Sequence, residues 1–219
     1  MRALLAFEVG AQAATAQSAA QDAAPDGFKI HWDLNHNRPA TSVLRIVEEL
    51  ATYPVAGFLE DPLYPYDIEG WRLIRSKTML PVLMHVPQLG GGPEIQRDVA
   101  DLYMIGEMGI GKSIQRGLAA AAAGLSTVIQ ITGGTLSKAL AMHLGAVIPN
   151  VSHSTNLDDQ YAEDITGGRL EINEGSSPVP CAAGLGVEVD EKILQELAAR
   201  PKSELARHVG VLHLSLIHI

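Results

Sequence analysis

One cysteine, Cys181, stands in 219 residues, so no internal disulfide can form and the fold must rest on packing, which suits a cytoplasmic protein. Positive charge is also scarce. Sixteen Lys and Arg against 25 Asp and Glu give a net charge of −9. With no basic cluster to neutralise a run of phosphates, nucleic acid is excluded as a partner and small molecules are favoured. Long apolar runs are missing too; "GLAAAAAGL" at 117–125 is too short to span a bilayer and reads as a closely packed helix face. The opening "MRALLAFEVGAQA" has the outline of a signal peptide, but Glu8 interrupts its apolar run, and a strand is the expectation there. No G-x-G-x-x-G follows a strand, since "QLGGGPE" at 88–94 has the wrong spacing, which counts against an open dinucleotide-binding sheet.

What remains is the composition of a globular chain, 47% apolar and 19% charged. Strand-length apolar runs stand at 3–9, 28–34, 55–60, 81–86, 101–106, 126–131 and 150–155. Helical patterns fill the gaps. "TSVLRIVEELATY" places Val43, Leu44, Val47 and Leu50 on one face with Thr41 as its cap, and "DIEGWRLIRSKTM" opens on Asp67. "GPEIQRDVA", "GKSIQRGLAAAAAG", "TLSKALAMHLGAVI" and "DEKILQELAAR" complete the helices. No hairpin signal joins the first six strands, so crossover connections and parallel pairing are required. The expected class is α/β, a TIM-like barrel incomplete at its amino end. Residues 167–189, rich in Gly, Pro and Ser, read as an irregular return segment with a short hairpin at Glu174 and Gly175.

In such barrels chemistry sits at the carboxyl ends of the strands. There the chain places Asp33 and Asn35, Glu60 and Asp61, His85, Glu107, Gln130, and His153 with Asp158 and Asp159. Asp33 and Glu60 lie 27 residues apart, one strand-helix step, so their carboxylates should converge from neighbouring strands. Hard oxygen donors held close call for a cation such as Mg²⁺. The plainer alternative is a helix cap or, for Asp61 before Pro62, a turn.

"DLN" at a strand end, followed one repeat later by "FLEDPL", resembles the barrel domain of the mandelate racemase and muconate lactonizing enzyme family of the enolase superfamily. The similarity runs from Gly27 to Ala199 through "LPVLMHVPQLGGGPEI", "GIGKSIQRGLAAAAAG", "LSKALAMHLGAVIPN" and "GLGVEVDEKIL". It implies a (β/α)7β barrel over residues 1–213, a preceding capping domain, and Mg²⁺-assisted removal of a proton next to a carboxylate, as in racemases, dehydratases and cycloisomerases acting on small acids or sugar acids. By the resemblance Asp33 and Glu60 hold the metal and Asn35 supports substrate. A homo-oligomer is compatible with it.

The departures fall on the acid-base positions. The third acidic ligand of relatives is replaced by His85 and Val86, the K-x-K pair expected near Ala6 and Glu8 is absent, and Gln130 stands where some relatives carry histidine. Three residues are candidates for the vacated catalytic roles: His85 as nitrogen ligand or base, Glu107 from the next strand, and His153 as an acid. Lys138 is a candidate contact for a substrate carboxylate, and Lys112 is expected to be a solvated helix lysine. A catalytically inactive barrel with a binding role is the alternative, and a Schiff-base enzyme using Lys112 or Lys138 a more distant one. The terminal "LSLIHI", residues 214–219, matches the translation of a sequencing adapter and is expected to be a non-native tail.

Overall fold

The computed structural model describes residues 18–36, 38–85, 87, 91–155, 161 and 163–201. The expected strand at 3–9, Val86, Asp158, Asp159 and the tail lie outside them. Strands and helices alternate as β1 (Ile30–Asp33), α1 (Ala40–Leu50), β2 (Ala56–Glu60), α2 (Ile68–Lys77), β3 (Val82–Met84), α3 (Gly92–Gln96), β4 (Leu102–Gly106), α4 (Ile110–Ala122), β5 (Ser126–Gln130), α5 (Thr135–Val147), β6 (Val151–Thr155) and α6 (Glu191–Ala199). Two compact units divide the chain between Met104 and Ile105, within β4.

In the first unit β1 pairs with β2, β2 with β3 and β3 with β4, all parallel. This is the α/β pattern that the missing hairpin signals required. The core forms because β2, β3 and β4 are apolar without alternation, as strands covered on both faces must be: Leu59, Val82, Leu83, Met84 and Tyr103 are fully buried. Helix α1 buries Val43, Ile46, Val47 and Leu50 and packs against α2. Ile46 takes the place expected for Leu44, because the buried stripe follows the i, i+3, i+4, i+7 rows from Val43. Thr41 is not the cap of α1; the helix starts one residue earlier, after extended Pro39, with no side-chain cap. Asp67 does cap α2, its Oδ1 accepting from the Gly70 amide at 3.0 Å. Helix α3 stops at Gln96, short of its expected length, where Asp98 turns left-handed at φ 59.

In the second unit β5 and β6 pair in parallel. Ile105, Ile129, Ala141, Leu144 and Ile148 form its core, with Ile114, Ile131, Leu140 and Val151 at its edge. After β4 the chain turns at Gly106, φ 120, where a Cβ would stand 2.5 Å from the Gln130 carbonyl oxygen. Ser113 locks this turn: its Oγ accepts from the Gly106 amide at 3.0 Å and donates to the Gly109 carbonyl at 2.6 Å. That hydroxyl therefore serves the fold of "GIGKS", and Lys112 is exposed as expected.

The return segment is tied to α5. Asp164 accepts from the Thr135 amide at 2.7 Å and from the Thr166 amide and hydroxyl at 3.1 and 3.0 Å. Its carboxylate replaces the cap that Gly134 cannot supply, and glycine is needed there because a Cβ would meet Asp164 Oδ2 at 2.3 Å. The hairpin at Glu174 and Gly175 is present, both at positive φ, closed by the Asn173–Ser176 bridge. Asp190 caps α6 through the Lys192 and Ile193 amides.

Candidate metal centre

Strands β1, β2 and β3 bring one cluster together at their carboxyl ends. Neighbouring residues of a strand face opposite sides, so Glu60 and Asp61 should point apart. Asp61 breaks that alternation by leaving β2 at φ 43, a left-handed conformation that Asp tolerates better than most side chains and that costs on the order of 1 kcal/mol. Ligand atoms of Glu60, Asp61 and His85 then all lie within 4.8 Å of one another.

Both carboxylates are almost wholly buried, Glu60 1% and Asp61 2% exposed, so each must be compensated. Glu60 Oε1 lies 3.0 Å from His85 Nδ1 and Oε2 lies 3.1 Å from His31 Nε2. Asp61 Oδ1 accepts from the His85 amide at 2.8 Å, and Oδ2 pairs with His36 Nε2 at 2.6 Å. The backbone repeats the connection. The Leu34 and His36 amides donate to the Glu60 and Asp61 carbonyls, each at 2.9 Å, which fastens the loop after β1 to the exit of β2. The His31 ring is also held edge-on by Phe58, with centroids 4.9 Å apart.

These contacts set the protonation states. Burial works to raise the Glu60 carboxyl, but hydrogen bonds and charge from His31 and His85 overcome it and hold the group at about 2. Burial works to lower His36, yet the Asp61 hydrogen bond and charge, with the Leu63 backbone and Asp33 charge, leave it raised above the ordinary 6.5.

Asp33 stands directly opposite Glu60 in the β1–β2 register. It lies two residues from His31 on the same strand, hence on the face from which His31 reaches Glu60. Its Oδ1 accepts from the Asn35 amide at 2.9 Å, and Asn35 is an exposed left-handed residue at φ 51. The ligand atoms that come together are two carboxylates, Glu60 and Asp61, and one imidazole nitrogen, His85, with Asp33 in register beside Glu60. Two buried carboxylates and an imidazole nitrogen are donors that a divalent cation accepts.

The candidates of the second unit are each engaged locally. Glu107 is exposed and accepts from the Thr132 hydroxyl at 2.9 Å. His153 Nδ1 lies 3.0 Å from Ser152 Oγ. Lys138 donates to the Leu170 carbonyl at 2.7 Å, so it braces the return segment. His143 Nε2 lies 3.2 Å from the Leu185 carbonyl.

Sequence reasoning missed His31 and His36 and gave Asp61 only a turn. His31 was findable, because strand alternation puts it on the face of Asp33. His36 and Asp61 depend on left-handed backbone, which Asn, Asp and His adopt more readily than other residues but which the sequence pattern does not locate.

Residues 7–193 match the pattern of the family described as Enolase C-terminal domain-like. The chain belongs to that family. This enolase C-terminal domain-like chain is 26% identical over 199 residues to the D-gluconate dehydratase of Thermoproteus tenax, a match taking in 87% of the chain and 40% of that protein. The chain thus spans well under two thirds of the length of the curated relative it matches. Among solved structures, the muconate lactonizing enzyme of Pseudomonas putida superposes with a TM-score of 0.79 at 14% identity, over 88% of this chain and 56% of that one. A dipeptide epimerase of Cytophaga hutchinsonii, complexed with Mg and the dipeptide D-Ala-L-Val, gives 0.75 at 16% identity, over 84% of this chain and 52% of that one. At such identities the likeness shows the fold, the TIM-like α/β barrel of the mandelate racemase and muconate lactonizing enzymes, as the sequence resemblance implied.

Proposed function

We propose that this enolase C-terminal domain-like chain carries the metal centre of an enzyme that removes a proton next to the carboxylate of a small acid or sugar acid. The observation that carries the reading is the buried cluster of Glu60, Asp61 and His85 with Asp33 in register beside it. The match to a D-gluconate dehydratase favours sugar acids and a dehydration. Asp33 and Glu60 would hold the cation, Mg²⁺ by the resemblance, with Asp61 and His85 beside them. When bound, that cation would neutralise the charge that grows on a substrate carboxylate as its neighbouring proton leaves.

The chain's own residues supply the rest. His31 and His36 hold Oε2 of Glu60 and Oδ2 of Asp61, which limits how far the carboxylates must move when a ligand arrives. Asn35, exposed just past β1, would contact substrate, as the resemblance implies. Glu107, His153 and Lys138 remain the candidates for proton transfer and carboxylate binding, each with donor or acceptor capacity beyond its one local contact. The replaced third acidic ligand and the absent K-x-K pair favour the second reading, a barrel that binds an acid without turning it over. A single cysteine supports a cytoplasmic setting, and among the described residues no helix is long and apolar enough to cross a membrane.

The test is exchange of the α-proton in D₂O, followed by ¹H NMR on D-gluconate and a panel of small 2-hydroxy acids, with divalent cation present. Loss of the α-proton signal, reduced at least about 100-fold in Glu60→Gln, is the expected result. Binding of an acid with no wash-out from any of them would leave the second reading in place of the first.

A further inference from the structure

This inference rests on the metal-centre reading above and specifies the ion. We propose that the cluster selects a divalent cation that accepts imidazole nitrogen, of the Mn²⁺, Co²⁺ or Zn²⁺ class, over Mg²⁺, with His85 Nδ1 as a direct ligand alongside Glu60 and Asp61.

The geometry carries the first step. Two donors occupying adjacent positions around an ion, each about 2.1 Å from it, are about 3.0 Å apart, and two on opposite sides about 4.2 Å. His85 Nδ1 and Glu60 Oε1 stand at 3.0 Å, the adjacent spacing, and all three ligand atoms fall within 4.8 Å, a fraction of an ångström from the opposite limit. Small side-chain movements close the set on one ion.

Ligand chemistry carries the second. Mg²⁺ demands oxygen donors in near-ideal octahedral array, whereas imidazole nitrogen suits the later first-row ions. His85 presents its nitrogen from the end of β3 directly onto a carboxylate already held by β2, so any ion seated on Glu60 Oε1 meets that nitrogen. The supports are also of the kind found around such ions. Each carboxylate oxygen has a second lone pair, so His31 on Glu60 Oε2, and His36 and the His85 amide on Asp61, can orient the ligands without occupying every donor position.

The experiment uses the 219-residue chain stripped with chelator and titrated separately with Mg²⁺, Mn²⁺ and Co²⁺ by calorimetry. Mn²⁺ bound to the wild-type chain is then examined by pulsed electron paramagnetic resonance for nitrogen modulation from a coordinated imidazole. The expected result is a nitrogen signal, together with a preference for Mn²⁺ over Mg²⁺ that falls at least about tenfold in His85→Asp. Far-UV circular dichroism checks that variant's fold, and the wild-type nitrogen signal decides the matter if it does not fold. Equal Mg²⁺ and Mn²⁺ affinities, or bound Mn²⁺ without nitrogen modulation, would overturn the selection while leaving a metal centre standing. Failure of all three ions to bind would overturn the metal-centre reading itself.

Discussion

Protonating Glu60 should weaken the first unit by an amount the structure sets. The carboxyl is held at about 2 against an ordinary 4.5, a gap that corresponds to at most roughly 3 kcal/mol of stability. Because the folded value is the lower one, that stability is complete above 4.5 and is lost as pH falls through the folded value. Replacing Glu60 with Gln removes the charge at every pH. Urea unfolding of chelator-treated wild type and Glu60→Gln should therefore show the wild type's advantage shrinking by about 2 kcal/mol between pH 6 and pH 3. Taking the difference between the two proteins cancels the titration of all other carboxylates. An advantage that stays constant over that range, or grows toward pH 3, would refute the claim that His31 and His85 hold the buried carboxylate ionised.

His36 should act with the opposite sign: its folded value is raised by Asp61, so its contribution is present below 6.5 and fades as pH climbs through the raised value. Urea midpoints of the chelator-treated chain should fall between pH 5.5 and 8.5, and His36→Gln should flatten that decline. Gly106→Ala should cost at least about 2 kcal/mol, from a backbone angle reserved for glycine and a methyl driven onto the Gln130 carbonyl, which thermal melting would register as a drop of several degrees. Asp190→Ala should cost about 1 kcal/mol by leaving the Lys192 and Ile193 amides uncapped, seen as a smaller drop in the same measurement.

Periodicity made the strands and helices of the described residues legible, because β2, β3 and β4 are covered on both faces and their apolar runs are unbroken. The ends were less so: α1 opens after Pro39 with no side-chain cap where Thr41 was expected to supply one, and α5 takes its cap from distant Asp164. At the centre, Asp33, Glu60 and His85 stood out as polar residues terminating apolar strands. Asp61 did not, because a turn and a buried counter-charge use the same residue type, and only the backbone angle separates them. Glu107, Lys138 and His153 looked equally available in sequence. Thr132 and Leu170, the partners of Glu107 and Lys138, lie 25 and 32 residues away in sequence, where spacing alone does not reveal them, whereas Ser152 simply precedes His153.

Helix α5 begins at Thr135 but takes its cap from Asp164, 29 residues further on. During synthesis its first turn is made well before the carboxylate that finishes it has emerged from the ribosome. The opening amides of that helix must wait in water, and a chain halted anywhere in the interval carries a start that frays. Completion of the return segment is thus the event that seals α5, which gives the second unit a built-in order of assembly.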